Sequence, residues 1–424
     1  MLRSMYSGVS GLRSHQVYLD TVGNNIANVN TAGYKSGQVV FQDLLSQTMN
    51  GAGRPTEVYG GTNPYQVGLG TTIAGVQKNF TQGSAQDTGR TTDMMIQGDG
   101  FFITKKVEGG GNFYTRAGSL SLDANGRFVT PTGAMLQGWQ ATPNPAAPGG
   151  FEVNPNRPPE TVQIPLGQIQ PPNATTRVKI AGNLDATAKQ DDVQTTSTYV
   201  YDQSGGRLEL QLEWKKAAAA NQWTLQAKTT AGANVGAAAT FTFTNGRLPN
   251  GEQKLTIPQA ALGGLGGTFT APIDIILKES NEDVDTIVQY AGESATNVRS
   301  QNGYTMGMLR SFNVAANGDI NGVFSNGTRR VMGKVALATF QNPDGLERIG
   351  ETSFAPTGNS GEPQIVVPGE GNAGTIKGGS VEMSNVDLSQ EFTNMISAQR
   401  GFQANSRIIT ASDEILQDLV NMKR

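Results

Sequence analysis

The stretch that decides the fold begins at residue 388 and reads LSQEFTNMISAQRGFQ up to residue 403. Through residues 388–424, one apolar residue recurs at every seventh position, and a second row occupies the companion heptad position. The first row is Leu388, Met395, Phe402, Ile409 and Leu416, and the second contains Phe392 and Val420. This periodicity predicts a long helix that packs along an apolar seam, as in a coiled coil.

The first thirty residues carry a matching pattern and predict one amphipathic helix over residues 2–29. Its apolar seam, at alternating spacings of three and four, is Leu2, Met5, Val9, Leu12, Leu19 and Ile26. A single helix of this kind is marginal in water, because most helical stability in proteins comes from packing. We therefore expect folding and association of the chain ends to be one event.

Two arrangements of these helices are compatible with the heptads. The two ends could form a helical hairpin within one chain, which would bury one seam of each helix. The C-terminal helix, however, carries a second apolar flank at Ile396, Ile408, Ile415 and Leu419. A hairpin alone would expose that flank, so the pattern also favours lateral packing against other copies.

The composition excludes several classes of function. The 424 residues include 54 glycines and no cysteine, and the net charge is −3. We therefore expect no nucleic-acid binding and no thiolate metal site. His15 is the single histidine, which leaves no convincing catalytic triad, and we predict no enzyme activity, no catalytic or metal-binding residue and no cofactor. The N-terminus does not resemble a secretory signal, and no apolar run is long enough for membrane insertion.

The chain between the helices predicts β structure. Asn125-Gly126 and Asn317-Gly318 each lie between apolar strand-like segments, the strongest short signal for a β-hairpin. Residues 207–214 alternate strictly between polar and apolar, which predicts an antiparallel sheet with one wet face. Residues 42–75 are interrupted by glycines and prolines, which predicts an irregular connector; these are Gly51, Gly53, Pro55, Gly60, Gly61 and Pro64. Ser280 with Asp283 predicts a capped helix over residues 284–290.

One segment matches a dinucleotide-binding fingerprint, GEGNAG at residues 369–374. That motif requires a helix to begin at its third glycine, whereas Thr375 and Ile376 are followed by Lys377 and two more glycines. We therefore expect residues 368–379 to be a Gly-rich hinge.

Two sequence blocks resemble the bacterial flagellar rod and hook family. The first is NNIANVNTAGYK at residues 24–35, and the second begins SNVDL at residue 384. The residues that match the family motifs are Asn24, Asn25, Asn28, Asn30, Gly33, Tyr34, Lys35, Ser384, Asn385, Val386, Asp387, Gln399, Arg400 and Asn405. Segments such as residues 199–202 and 335–346 resemble the hook members of the family.

The resemblance and the patterns together imply a multi-domain α+β fold, in which coiled-coil-type terminal helices pair and two mainly antiparallel β domains are inserted in series. We expect a terminal helical domain (1–30 plus 384–424), a connector (31–70 plus 368–383), a first β domain (71–145 plus 301–367) and an inserted outer β domain (146–300).

The resemblance implies a structural subunit that polymerises into the flagellar hook, a flexible tube that transmits motor torque from rod to filament. Its implied partners are copies of itself in a helical homopolymer, the distal rod, hook cap and hook–filament junction proteins, and the flagellar export apparatus. The implied location is the extracellular hook, reached without a cleaved signal peptide. A distal rod protein of the basal body is the alternative. A carbohydrate-acting enzyme would need a buried acidic pair, and a β-rich adhesin would not need heptads at both ends.

Overall fold

The computed structural model describes residues 2–55, 60–106, 110–144, 151–165, 167, 169–280 and 285–422. The side chains of Leu2 and Leu419, both named in the predicted apolar faces, lie outside the described part. The helices are α1 (Leu2–Ala27), α2 (Gln259–Leu262) and α3 (Leu388–Asn421), with 3₁₀ turns at Gly263–Leu265 and Pro343–Gly345. Among the described residues, no helix is both long enough and apolar enough to cross a membrane.

Helices α1 and α3 lie side by side in opposite directions at the two ends of the chain. Gly8 lies against Ile409, and Asn25 at the other end of α1 lies against Glu391. Asp387 begins α3 as its N-cap, and its carboxylate accepts hydrogen bonds from the backbone amides of Ser389 and Gln390. At 1.5 Å per residue, α3 is roughly 50 Å long and α1 roughly 40 Å.

The predicted irregular connector after α1 is wrong in its conformation, because it forms a long two-stranded antiparallel ribbon. Gly37–Asp43 pairs with Thr71–Lys78, and Ser46–Asn50 pairs with Tyr65–Gly68. The ribbon lies along α1, where Phe41 packs against His15 and Tyr18 with ring centroids 5.7 and 5.6 Å apart. The glycines and prolines that suggested irregular structure lie mainly between the paired strands.

The largest sheet combines residues from both halves of the chain. Its main path, in order, is Ile169–Gln170, Gly307–Val314, Asp319–Phe324, Arg329–Val335, Met135–Gln140, Phe101–Lys105, Asn112–Thr115, Ser353–Ala355 and Glu347–Gly350. Ser121–Leu122, Phe128–Val129, Glu160–Thr161, Leu337–Thr339 and Gln364–Val366 attach at its sides. Both predicted Asn-Gly hairpins are confirmed within this sheet, since Leu122 pairs with Phe128 and Val314 with Ile320.

Two further sheets share one apolar core. The first contains Gln253–Ile257, Ile273–Lys278, Arg177–Asp185, Ile287–Tyr290 and Ala295–Gln301. The second contains Val193–Tyr201, Arg207–Lys216, Gln222–Thr229 and Ala239–Thr242. The predicted alternation is confirmed because Leu210, Leu212 and Trp214 are buried. Arg177–Asp185 pairs in parallel with two neighbours, so the β structure is mainly but not wholly antiparallel.

Three short pairs complete the sheets: Thr142–Pro143 with Phe151–Glu152, Thr375–Gly378 with Met94–Gln97, and Ser380–Glu382 with Ala85–Asp87. The predicted hinge at 368–379 is therefore wrong, because a third of it is fixed in a strand. Ile376 lies buried there, while Gly369 and Gly371 take positive φ angles of 82° and 60° in a tight turn.

The predicted helix over residues 284–290 is also wrong. Ile287–Tyr290 is a strand that pairs in parallel with Gly182 to Asp185. Ile287 and Gln289 are buried at a spacing of two, so sheet pairing overrides the capping signal. Asp283 and Val284 lie outside the described residues.

The four-part domain division stays a prediction. Its boundary at residue 146 does not coincide with a sheet boundary, because two strands assigned to the insertion belong to the large sheet. Glu160–Thr161 pairs with Met135–Gln140, and Ile169–Gln170 pairs with Gly307–Val314.

Candidate functional site at the paired chain ends

Small residues bring α1 and α3 into close contact. A Cβ atom added at Gly401 would lie 2.4 Å from Cε1 of His15, and one at Gly11 would lie 2.7 Å from Nδ2 of Asn405. Ala398 and Val22 are fully buried in the same region. Gly401 therefore makes room for the imidazole of His15, and Gly11 makes room for the side-chain amide of Asn405.

The predicted apolar seams lie beside this contact and not at its centre. Val9, Leu388, Phe392, Phe402 and Val420 are exposed. The other described members, Met5, Leu12, Leu19, Ile26, Met395, Ile409 and Leu416, are only half-buried. The helices do pair, but a coiled coil packed on these heptads is not confirmed, because the glycines favour a contact face rotated away from them. That these residues pack against other copies stays a prediction.

Asn25 connects α1 to three other parts of the chain ends. Its Nδ2 donates to the carbonyl oxygen of Gly37 at 2.9 Å and to Oε1 of Glu391 at 3.1 Å. Its Oδ1 accepts from the hydroxyl of Tyr34 at 3.1 Å and the amide of Gly37 at 3.0 Å. Asn25 is buried, so all of its hydrogen-bonding capacity is used within the protein.

The other asparagines of the first block have different surroundings. Asn28 Nδ2 donates to the carbonyl oxygen of Asn24 at 2.9 Å and to its Oδ1 at 2.7 Å, which ends α1. Thr31 donates to Oδ1 of Asn28 at 3.1 Å and continues the turn. Asn30 is exposed.

The second block closes on the first through Asn385. Its Oδ1 accepts from the amide of Ser36 at 2.9 Å, and its Nδ2 donates to the carbonyl oxygen of Asn79 at 2.8 Å. Ser384 Oγ accepts from the amide of Val386 at 3.4 Å, ahead of the Asp387 cap. The structure therefore brings the two motif blocks together, although more than 300 residues separate them.

The last three motif residues lie on α3. Gln399 and Arg400 are exposed on its outward face. Asn405 is half-buried against Gly11, and its Nδ2 donates to the carbonyl oxygen of Gly401 at 3.0 Å. Only Asn405 of these three faces α1.

A buried group of three charges lies where the blocks meet. Lys35 Nζ is 2.6 Å from Oε1 of Glu382, and both side chains are 0% exposed. Nη1 of Arg116, also buried, is 3.6 Å from the other Glu382 oxygen. Burial lowers the pKa of Lys35, although the Glu382 carboxylate acts in the opposite direction. Sequence reasoning missed Glu382 and Arg116, because no periodicity or spacing relates them to Lys35.

Arg348 joins this region to the large sheet. Its guanidinium lies 4.6 Å from the Tyr34 ring centroid, and Nη2 donates to the carbonyl oxygen of Lys35 at 2.7 Å. A cavity of about 320 Å³ beside it is lined by residues that include Asp20, Asn25 and Lys78. Within the described part of the chain, no three His, Asp or Glu side chains are grouped closely enough to hold a metal ion.

Comparison with known protein families covers both ends and the β structure. The models described as "Flagella basal body rod protein" and "Flagellar basal body rod FlgEFG protein C-terminal" match residues 5–35 and 377–422. Those described as "Flagellar hook protein FlgE/F/G D1 domain" and "Flagellar basal body protein FlaE D2 domain" match residues 95–183 and 171–304. The matched ends contain both motif blocks.

Full-length relatives decide the family. The flagellar hook protein FlgE of Borreliella burgdorferi is 40% identical over 451 residues, and that of Treponema pallidum is 37% identical over 479 residues, each covering 100% of both chains. The chain belongs to the flagellar hook protein FlgE family. These relatives confirm the predicted role of a hook subunit and the predicted location in the flagellar hook. The FlgE family is a family of structural proteins.

Two more distant relatives bear on the fold and on the alternative role as a rod protein. The Helicobacter pylori flagellar hook protein FlgE2 has a TM-score of 0.50 and 14% identity, over 69% of this chain and 99% of that one, which shows a shared FlgE fold. The basal-body rod protein FlgG of Bacillus subtilis is 30% identical over 425 residues, covering 100% of both chains. The rod alternative is thus less well supported than the hook role.

Proposed function

We propose that the chain polymerises with copies of itself into a helical tube, the flexible universal joint that transmits motor torque from the rod to the filament. The observation that carries this proposal is the surface of α3. After α3 has paired with α1, Phe392 is still 51% exposed and Ile396 52% exposed. These two residues are four positions apart and therefore share one face of the helix.

The apolar surface continues along the terminal helices. Leu388, Phe402, Ile408 and Ile415 on α3, and Tyr6, Val9 and Val17 on α1, are also exposed. Burying a large apolar side chain contributes roughly 1.5–3 kcal/mol, so a row of this length favours association strongly. The heptad seams supply the subunit–subunit contacts in this proposal, while the small residues between α1 and α3 hold the two helices of each subunit together.

The four-part organisation gives each region a role. The terminal helices form the inner wall of the tube, and the β domains form its outer layers. In the assembled flagellum the subunit meets the distal rod, hook cap and hook–filament junction proteins, after delivery by the export apparatus without a cleaved signal peptide. These partners and this extracellular route rest on the family membership.

The test is a pair of matched surface variants. Phe392→Ser with Ile396→Ser removes the shared apolar face of α3, and we expect the purified chain to stay monomeric in sedimentation and to form no tubes in electron micrographs. Val193→Ser removes a similarly exposed apolar side chain from an outer sheet, and tubes should persist. Tubes of normal shape from the α3 variant would refute the proposal.

The second candidate is a distal rod protein, favoured by the likeness to Bacillus subtilis FlgG. Micrographs of the assembled polymer separate the two functions. A hook subunit forms curved, bendable tubes, whereas a distal rod protein forms a straight, stiff shaft.

A further inference from the structure

We propose that Glu382 is the positioning residue that fixes the bases of both terminal helices to the β structure, because it is the shared counter-ion of Lys35 and Arg116. Oε1 of Glu382 is 2.6 Å from Lys35 Nζ, and Oε2 is 3.6 Å from Arg116 Nη1. The three side chains are 0 to 3% exposed, so water does not screen these charges.

The three residues come from three separate parts of the chain. Lys35 follows α1, which ends at Ala27, and Glu382 closes the strand just before α3 begins at Leu388. Arg116 directly follows the strand Asn112–Thr115 of the large sheet. The cluster therefore forms only when both ends of the chain have reached the β structure.

Further hydrogen bonds surround the cluster, although Oε2 of Glu382 and Nε of Arg116 take part in none. The amide of Gly83 donates to Oε1 of Glu382 at 2.9 Å, and Lys35 Nζ donates to the carbonyl oxygen of Thr81 at 2.8 Å. Arg116 Nη1 donates to the carbonyl oxygen of Gly98 at 2.9 Å, and the Asp99 carboxylate acts on the same guanidinium from farther away. Among the described residues, Glu382 is the only carboxylate that forms an ion pair with Lys35 or Arg116.

The charges predict an unusual order of stability among variants. Glu382→Gln keeps the shape of the side chain but leaves two buried cations without their counter-ion, which is strongly destabilising. Lys35→Met combined with Glu382→Gln leaves one uncompensated cation, the same net charge as the native cluster. The second substitution should therefore partly rescue the first, a result that shape alone does not explain.

Hydrogen exchange of the full-length chain in solution measures the effect locally. In Glu382→Gln, we expect amide protection at residues 31–37 and 380–386 to fall together, by roughly a hundredfold or more. Protection at Arg207–Lys216 in the outer sheet should be unchanged. The double variant should recover most of the loss.

Asp87→Asn is the matched control, because Asp87 lies on the strand that pairs with Ser380–Glu382 and forms an ion pair with Lys377 at 2.7 Å, but is exposed. It should change protection little, as exposed ion pairs contribute little. The proposal would be overturned if amide protection fell at residues 380–386 alone. It would also be overturned if the double variant were no better protected than Glu382→Gln. If Glu382→Gln yields no folded chain, recovery of a folded double variant supports the proposal, and failure of both overturns it.

Any effect of Glu382 on the assembled tube rests on the proposed function, whereas the hydrogen-exchange measurement does not depend on it. A chain that never polymerises would refute the assembly role and leave the Glu382 result standing. Conversely, normal tubes with unaltered protection in Glu382→Gln would refute only the positioning role.

Discussion

Asn25 on α1 donates a hydrogen bond of 3.1 Å to Glu391 on α3, across 366 positions of sequence. The same side chain binds Tyr34 and Gly37, so one buried amide connects both helices to the first strand of the ribbon.

Asn25→Ala removes this connection and leaves several buried polar groups without partners. Each such group costs about 1–3 kcal/mol, so we expect the free energy of unfolding of the helix pair to fall by at least that amount. Hydrogen exchange across residues 20–37 measures the change. Asn30→Ala, at an exposed asparagine of the same motif, should have no comparable effect.

Gly401→Ala and Gly23→Ala test whether close helix contact depends on glycine. A Cβ at Gly401 would lie 2.4 Å from His15 Cε1, whereas nothing lies within 4 Å of a Cβ at Gly23. We expect Gly401→Ala to destabilise the pair by about 1–3 kcal/mol through overpacking. Gly23→Ala should stabilise α1 by about 0.5–1 kcal/mol, since alanine favours helix. Thermal unfolding, followed by the circular dichroism of the helices, gives the sign of each change in stability. Equal changes in melting temperature in the two variants would contradict the close contact at Gly401.

Gly33→Ala and Gly89→Ala separate backbone strain from packing. Both glycines have φ near +70°, but a Cβ at Gly33 would lie 2.5 Å from the Ala117 amide nitrogen, and a Cβ at Gly89 meets nothing within 4 Å. Each variant should lose about 1 kcal/mol from left-handed strain. Gly33→Ala should lose substantially more, because backbone atoms must move. Urea denaturation measures the difference, and equal losses would show that the first motif tolerates displacement.

Asp202 predicts a pH dependence in the outer sheets. Burial disfavours its ionised form, but hydrogen bonds from Ser204, Gly206 and Thr268 outweigh this effect, and the Asp202 pKa lies below its ordinary value of 3.8. A carboxyl with a lowered folded-state pKa stabilises the fold above the unfolded value, and the contribution is lost as pH falls through the folded value.

The difference in unfolding free energy between the native chain and Asp202→Asn should therefore shrink as pH falls below about 3.8. Urea titrations monitored by tryptophan fluorescence at pH 7 and at acid pH measure this difference. Ser204→Ala, which removes a donor at 2.8 Å, should weaken the pH dependence. A difference that is constant with pH would contradict the role of the carboxylate.

Local patterns predicted local structure well. The heptad rows gave α3 nearly to its ends, and the Asn-Gly pairs at 125–126 and 317–318 gave two hairpins. The prediction failed where a distant strand supplied the hydrogen bonds. Ile287–Tyr290 became a strand beside residues 182–185, and Thr375–Gly378 became a strand beside Met94–Gln97.

The sequence by itself determined the helical ends, the alternating strands and the turns, because periodicity, capping and turn chemistry act between residues close together in the chain. The tertiary structure alone decided which faces of α1 and α3 meet, since glycines on each helix make room for side chains of the other. It also decided that Lys35 has Glu382 as its counter-ion. A buried charge is stabilised by the partner that folding brings to it, and sequence spacing carries no record of that partner.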